Sequence, residues 1–361
     1  MQKKIIALAI AAAFATPVVA MADVTMYGTM DGGFRHQTND SATQGTTDSM
    51  QMGQYNTARF GLKSVEDMGD GMKTNVVLET SYAPGGVGTN SNMTAGATPA
   101  TTATTAPTNV NNPFGLLFDR QATIGVSAGW GSIDMGWNYT TSFKTIASYD
   151  PLGYKWLGQA GAKTSDTTDR AGNLVYNGKF GDVGVTVEYD VNNAAKTYQP
   201  ATGAGRAVGV QYASGAINVG AAYTAQEGDT FFGYDDSMTH VTVGGGYNFG
   251  DGKISVGYAK KAIKGAAGLG DNTNTNTWLG GNYNVSSKIN VLAAYYNNAT
   301  NSGAVNAADA TKKIMIVGAT YSLSKMTSMY VSFDKTTANT GATNAQDVVT
   351  NGSTLGLSTT F

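Results

Sequence analysis

The sequence predicts an all-β fold, a 16-stranded antiparallel β-barrel that crosses a membrane with strands instead of helices. Three observations predict it. Apolar and polar residues alternate along segment after segment, while no run approaches the ~20 apolar residues a membrane helix requires. The joints between segments alternate between short and long, as in barrels with tight turns at one end and loops at the other. Tyrosines recur near both ends of the segments, on the apolar parity, which describes two interfacial girdles around an apolar band.

The first segment is of another kind. Lys3 and Lys4 precede an apolar stretch from Ile5 to Val19, and Ala20-Met21-Ala22 offers a small-x-small cleavage site, the pattern of an export signal. Residues 1–22 are therefore expected to be a signal peptide and residues 23–361 the transmembrane barrel domain. Without that signal, 21 basic residues face 25 acidic ones, a net of −4. That balance excludes a nucleic-acid partner, which asks for a concentrated basic face. The absence of cysteine excludes disulfides and a lipid-modified cysteine anchor.

Val24–Met30 opens the barrel, with Val24, Met26 and Met30 opposing Thr25, Tyr27, Thr29 and Asp31. A polar stretch to about residue 56 reads as a loop. Arg59–Lys63 alternates again, 66–71 reads as a turn, and Met72–Tyr82 returns. Residues 83–117, low in complexity and holding Pro99, Pro107 and Pro113, read as an exposed loop. Arg120–Ala128 and Ser132–Trp137 form a hairpin, followed by an irregular segment at 138–169. Further strands are expected near 170–179, 183–190, 206–213, 217–225, 239–249, 253–261, 275–285, 288–297, 312–323, 326–335 and 352–361. The last of these alternates Leu355, Leu357 and Phe361 against Thr354, Gly356, Ser358 and Thr360. Such a strand needs a partner, because an unpaired edge invites aggregation, and Val24–Met30 is expected to supply it. Polar or tiny residues on the other parity, such as Thr186, Glu188, Gln211, Thr242 and Ser255, indicate a water-filled lumen.

Several stretches together resemble the general diffusion porins of Gram-negative bacteria, of the betaproteobacterial type: Asp23–Thr29, Ala58–Lys63 with Glu66-Asp67, Asp119–Val126, Gly318–Tyr330 and the terminal Phe361. The resemblance implies an outer-membrane channel for passive diffusion of small hydrophilic solutes, a homotrimer, and a third external loop folded into the lumen. It further implies that the terminal strand, through Leu355, Leu357 and Phe361, is read by the outer-membrane assembly machinery. Outer-membrane lipid and lipopolysaccharide are the surroundings expected of such a chain. Carried over by residue, Arg59 matches a wall arginine, Arg120 the arginine before the fourth strand, and Asp150 an acidic residue of the constriction loop opposing a basic wall. Arg120 shares parity with the outward Ala122, Ile124 and Val126, so it needs a bulge or a position outside the membrane band to reach water.

The candidate pore-lining charges are Arg59, Lys63, Lys73, Glu79, Asp31, Asp134 and Arg120 on the wall, with Lys144 and Asp150 on the third loop. Charge on the lipid face costs ~2–4 kcal/mol near the midplane, so these residues are expected to face the lumen. Trp137, Val175 and Ser358–Thr360 stand where the family often has basic residues. Those substitutions and the net of −4 lead to an expectation of weak cation preference. Trp156 is expected to pack the loop against the wall. His36 and His240, far apart in sequence, form no metal site, and no cofactor is expected. Glu227, Asp229, Asp235 and Asp236 form an acidic loop, expected to be solvated. No histidine accompanies a Gly-x-Ser-x-Gly elbow, so an enzyme is not expected. A substrate-selective channel or an adhesin using the long loops is the alternative function.

Overall fold

The computed structural model describes residues 23–40, 45–81, 118–156, 170–190, 204–227, 237–265, 270–303, 309–339 and 347–361. The expected export signal, the stretch at 83–117, and Asp229, Asp235 and Asp236 lie outside the described residues. In chain order the elements are β1 (Asp23–Asn39), β2 (Thr46–Met52), β3 (Arg59–Gly69), β4 (Met72–Ser81), β5 (Gln121–Ala128), β6 (Gly131–Tyr139), α1 (Thr141–Tyr149), β7 (Arg170–Phe180), β8 (Val183–Asp190) and β9 (Gly205–Ser214). They continue with β10 (Ile217–Gln226), β11 (Met238–Phe249), β12 (Gly252–Ile263), β13 (Asn272–Asn284), β14 (Ile289–Asn301), β15 (Ala310–Ser322), β16 (Thr327–Asn339) and β17 (Val348–Thr360).

All strands belong to one antiparallel sheet that closes on itself, and β2 and β3 together make a single stave. Gly32–Thr38 of β1 pair with β2, whereas Asp23–Thr29 pair with β3, so 17 strands form a 16-stave barrel. The stave breaks at 53–58, where Gly53 has φ +74° and the Asp31 carboxylate accepts the Tyr55 N–H at 3.0 Å. The polar stretch after Met30 is thus strand for much of its length, not loop. Its Thr- and Gln-rich composition hid it, because both of its faces are partly polar.

Closure occurs between β1 and β17, with Thr29 opposite Thr360 through to Asn39 opposite Thr350. The expected partner was Val24–Met30, yet only the end of that segment takes part. Its first half extends past the terminal strand to pair with β3. At the seam, Gly28 N–H donates to the Phe361 carbonyl at 3.0 Å and Phe361 N–H to the Gly28 carbonyl at 3.2 Å. The segment 66–71 is mostly strand. β3 runs through Gly69 with a bulge, and the turn shrinks to Asp70-Gly71, both at positive φ (51° and 75°), the backbone a tight hairpin requires.

Parity sorts the two faces as expected. Val24, Met26, Ile124, Val126, Val208, Val210, Leu355, Leu357 and Phe361 are exposed on the outer surface. Tyr189, Tyr212, Tyr223, Tyr247, Tyr258, Tyr283, Tyr295 and Tyr321 are exposed there too, near strand ends. The inner parity is not uniformly polar. Tyr296, Ile314, Ile316 and Tyr330 are buried inside the barrel, in a cluster with Ile146, Tyr149, Leu152 and Trp156 of the third loop.

A Cβ at Gly28 would run into the Phe361 ring and the Arg59 carbonyl. Gly28→Val is therefore expected to destabilise the seam by about 1–3 kcal/mol. The check is the temperature at which the folded barrel shifts to unfolded mobility in a detergent gel. An unchanged temperature would contradict the role of this contact.

Candidate functional site

The third loop enters the lumen through α1, a nine-residue helix inside a segment that composition alone marks as irregular. Thr140 caps it, its hydroxyl accepting the Phe143 N–H at 3.3 Å. The wall offers this helix a seat made of missing side chains. Gly220, Gly244, Gly257 and Trp278 stand directly opposite one another across β10 to β13. A Cβ at Gly244 would overlap the Tyr149 ring, and one at Gly209 would press on Thr141. Tyr149 lies in that trough, stacked on Trp278 at 6.0 Å, with its hydroxyl 2.6 Å from Thr242 Oγ1.

Both ends of the helix are pinned to the wall. At the start, the Thr141 N–H donates to Glu188, which also accepts from Asn173 at 2.9 Å. A carboxylate is favoured there by the helix dipole. Ser142 Oγ sits 2.7 Å from Thr224 Oγ1 and 3.0 Å from His240 Nδ1. At the far end, Asp150 accepts the Tyr296 hydroxyl at 2.7 Å and the N–H groups of Tyr154 (2.7 Å) and Leu152 (3.2 Å). Burial pushes its carboxyl above the ordinary aspartate range, and these donors offset only part of that rise.

Asp150, expected from the resemblance to oppose a basic wall, is therefore a buried anchor of the loop. Trp156 packs the loop down as expected, edge-on to Tyr55 (4.8 Å) and Tyr330 (5.3 Å). Between these limbs, Tyr139, Phe143 and Tyr154 stack with ring centroids 4.7 and 4.4 Å apart.

On the wall, Arg120 precedes β5 and so escapes the parity of Ala122, Ile124 and Val126. It reaches inward to form an ion pair with Glu79 and donates to the Tyr139 hydroxyl at 2.6 Å. Tyr27 adds a second hydroxyl to Glu79 at 3.0 Å. Asp31 is enclosed by Tyr55 and by the Tyr330 hydroxyl at 3.1 Å. Asp134 is half-buried and accepts from Ser132 (3.0 Å) and Asn177 (3.1 Å). Lys144 lies half-buried on α1, where burial lowers its ammonium below the ordinary lysine value while Glu188 and Asp134 draw it up. Arg59, Lys63 and Lys73 take the inner parity of β3 and β4 and form no ion pair among the described residues.

One charged pair escaped the sequence reading. Arg35 forks onto Asp334 (2.7 and 2.9 Å) and donates to Thr354 at 2.9 Å, tying β1 to β16 across β17. Ending the first strand at Met30 hid Arg35, although it continues the inner parity of Asp31. The glycine row was also legible in principle, as glycines on the inner parity of β9 to β12.

A family model described as Gram-negative porin matches residues 7–356. An outer membrane porin protein of Bordetella pertussis is 27% identical over 290 residues, covering 72% of this chain and 69% of that protein. The solved anion-selective porin from Comamonas acidovorans superposes with a TM-score of 0.74 at 20% identity, covering 94% of this chain and all of that one. The trimer form of Vibrio cholerae OmpT gives a TM-score of 0.66 at 14% identity, over 94% and 99%.

Gly244→Leu fills the trough and is expected to push Tyr149 and α1 toward the channel axis, lowering single-channel conductance by about half. Planar-bilayer recording checks this, and wild-type conductance from correctly folded protein would refute the seating of the helix.

Proposed function

Because the chain belongs to the Gram-negative porin family, and is thus an outer-membrane channel for passive diffusion, we propose that its pore prefers anions and that the barrel works as a homotrimer. The observation that carries the anion preference is the unequal fate of the two signs of charge. Asp31, Glu79, Asp150, Glu188 and Asp334 are 0–6% exposed and hydrogen-bonded, two of them neutralised by arginine. Arg59 is half-exposed, and Lys63 and Lys73 are exposed, all three without ion pairs. A solute crossing the lumen meets these three unpaired cations, whereas among the candidate wall and loop acids only Asp134 stays half-exposed. Net charge suggested the opposite preference because it counts buried and exposed residues alike. The relative from Comamonas acidovorans carries the description anion-selective, which agrees.

The trimer rests on an interruption in the girdle. The eight exposed tyrosines among the described residues stand on β8 to β15. From β16 through β17 and β1 to β6 the outer surface presents Val24, Met26, Met30, Phe34, Ile124 and Leu357 without an exposed tyrosine among the described residues. Interfacial tyrosine is useful where a barrel meets headgroups, and a face lacking it suits contact with other copies. Within this sector the exposed strand Leu355, Leu357 and Phe361 serves as the assembly signal, and lipopolysaccharide surrounds the opposite sector.

In a salt gradient across a planar bilayer, the reversal potential is expected to have the sign of anion selectivity and to shrink about twofold or more in Arg59→Ser/Lys63→Ser. A cation-selective wild type would overturn the assignment. Because the chain lacks cysteine, Met26→Cys gives a single thiol. A short bis-maleimide is expected to link subunits through it and not through Val210→Cys. The reverse pattern would place the interface elsewhere.

A further inference from the structure

A broad groove lies on the outside of the barrel, in the tyrosine-bearing sector. It has a volume of about 820 Å³ and is almost wholly apolar. Its floor follows one register row: Val219 opposite Gly245, Gly245 opposite Val256, Val256 opposite Leu279, and Leu279 opposite Tyr295. Gly245 is the notch, because it has no side chain while Val219, Val256 and Leu279 are 46–57% exposed around it. Tyr247 stands at the short-turn end, and Tyr258 and Tyr295 at the loop end.

Just beyond the two loop-end tyrosines stand two cations on the same outer parity. Lys260 lies two residues past Tyr258, about 7 Å further along the strand. Lys313 pairs with Asn297, two residues past Tyr295. Both are exposed, and neither has an ion pair among the described residues. Asp271 and Asp309 lie further out along the strands and are already engaged, by the Gly265 N–H and by Asn301. A hydrocarbon groove with a pair of unneutralised cations above it, at the depth where tyrosine marks the interface, has the chemistry to hold an acylated lipid with a phosphorylated head. It does not match a second protein copy, which would leave the lysines unpaired unless it brought matching acids.

We propose that this groove binds one phosphorylated lipid of the external leaflet, an acyl chain lying over Gly245 and Val256 and its phosphates held by Lys260 and Lys313. The site deepens, and rests on, the reading that lipopolysaccharide surrounds this sector. Two cations over one mouth fit a bis-phosphorylated head better than a single-phosphate one. The tyrosine rings would sit at the junction of chain and head, and the flat floor would order a chain that a ridged wall leaves mobile.

The test uses the purified full-length porin in detergent, titrated with bis-phosphorylated lipid A, its dephosphorylated form, and phosphatidylethanolamine, with bound lipid counted by native mass spectrometry. Lipid A is expected to bind best. Lys260→Gln/Lys313→Gln should weaken it about thirtyfold, from roughly a factor of five to six for each lysine near an anionic surface. Val256→Phe, which fills the groove while staying apolar, should reduce binding of all three lipids. Lys288→Gln, an exposed lysine in the short turn before β14 at the opposite end of the barrel, should leave binding unchanged. If the wild type binds no lipid A at all, the reading of lipopolysaccharide as a partner fails. If it binds but both groove variants bind equally well, or Lys288→Gln weakens binding as much as the double variant, this site is overturned. Cross-linking of a second copy through Val256→Cys would overturn it in favour of a protein contact.

Discussion

In hydrocarbon there is no water to satisfy a peptide group, so every N–H and C=O within the bilayer must find a partner in the protein. A sheet meets that demand only by closing. Here closure falls on the pairing of β1 with β17 and the reciprocal bonds between Gly28 and Phe361. The Arg35–Asp334 fork reinforces the same seam from inside, spanning β17. Each other stave has its neighbour next in sequence, so this one long-range pairing is the step on which the continuity of the wall depends.

Once the wall is closed, the lumen has to be partly filled. A 16-stave barrel is too wide for wall side chains to meet across it. The third loop does the filling, and the wall is shaped for it: glycines where α1 lies, apolar Ile314, Ile316 and Tyr330 where Leu152 and Trp156 fall. The same packing sets the electrostatics. Each carboxylate used to hold the loop or the seam is withdrawn from the channel, whereas the lysines and arginine on β3 and β4 have no structural partner and stay in water. The proposed charge preference is thus a by-product of which residues the architecture needed as anchors.

Much of this was readable in the sequence, for a definite reason. Period-two alternation, turn length and tyrosine placement are local signals, and strands β7 to β17 follow them closely. What failed was non-local. β2 and the extension of β1 mix polar residues into both faces, with only Phe34, Met50 and Met52 as large apolar ones, so little alternation betrays them. Asp150 has the right position for a channel-facing acid, but its orientation depends on Tyr296, remote in sequence. Arg120 was ambiguous by parity alone, since parity applies only within a strand and Arg120 stands just before one. Net charge is a blunt guide to selectivity, because burial as well as number decides which charges a permeating ion encounters.

The glycine row beneath α1 has a further consequence. On the inside Gly244 lies beneath the Tyr149 ring and Gly257 beneath the Trp278 ring, and both also border the outer groove. At this place the barrel is a single backbone thick, with an aromatic ring on one side and the bilayer on the other. A residue elsewhere in the wall answers to one medium through its side chain. These two positions, having none, transmit the shape of each face to the other, so the contour offered to the membrane is in part set by how the channel is plugged.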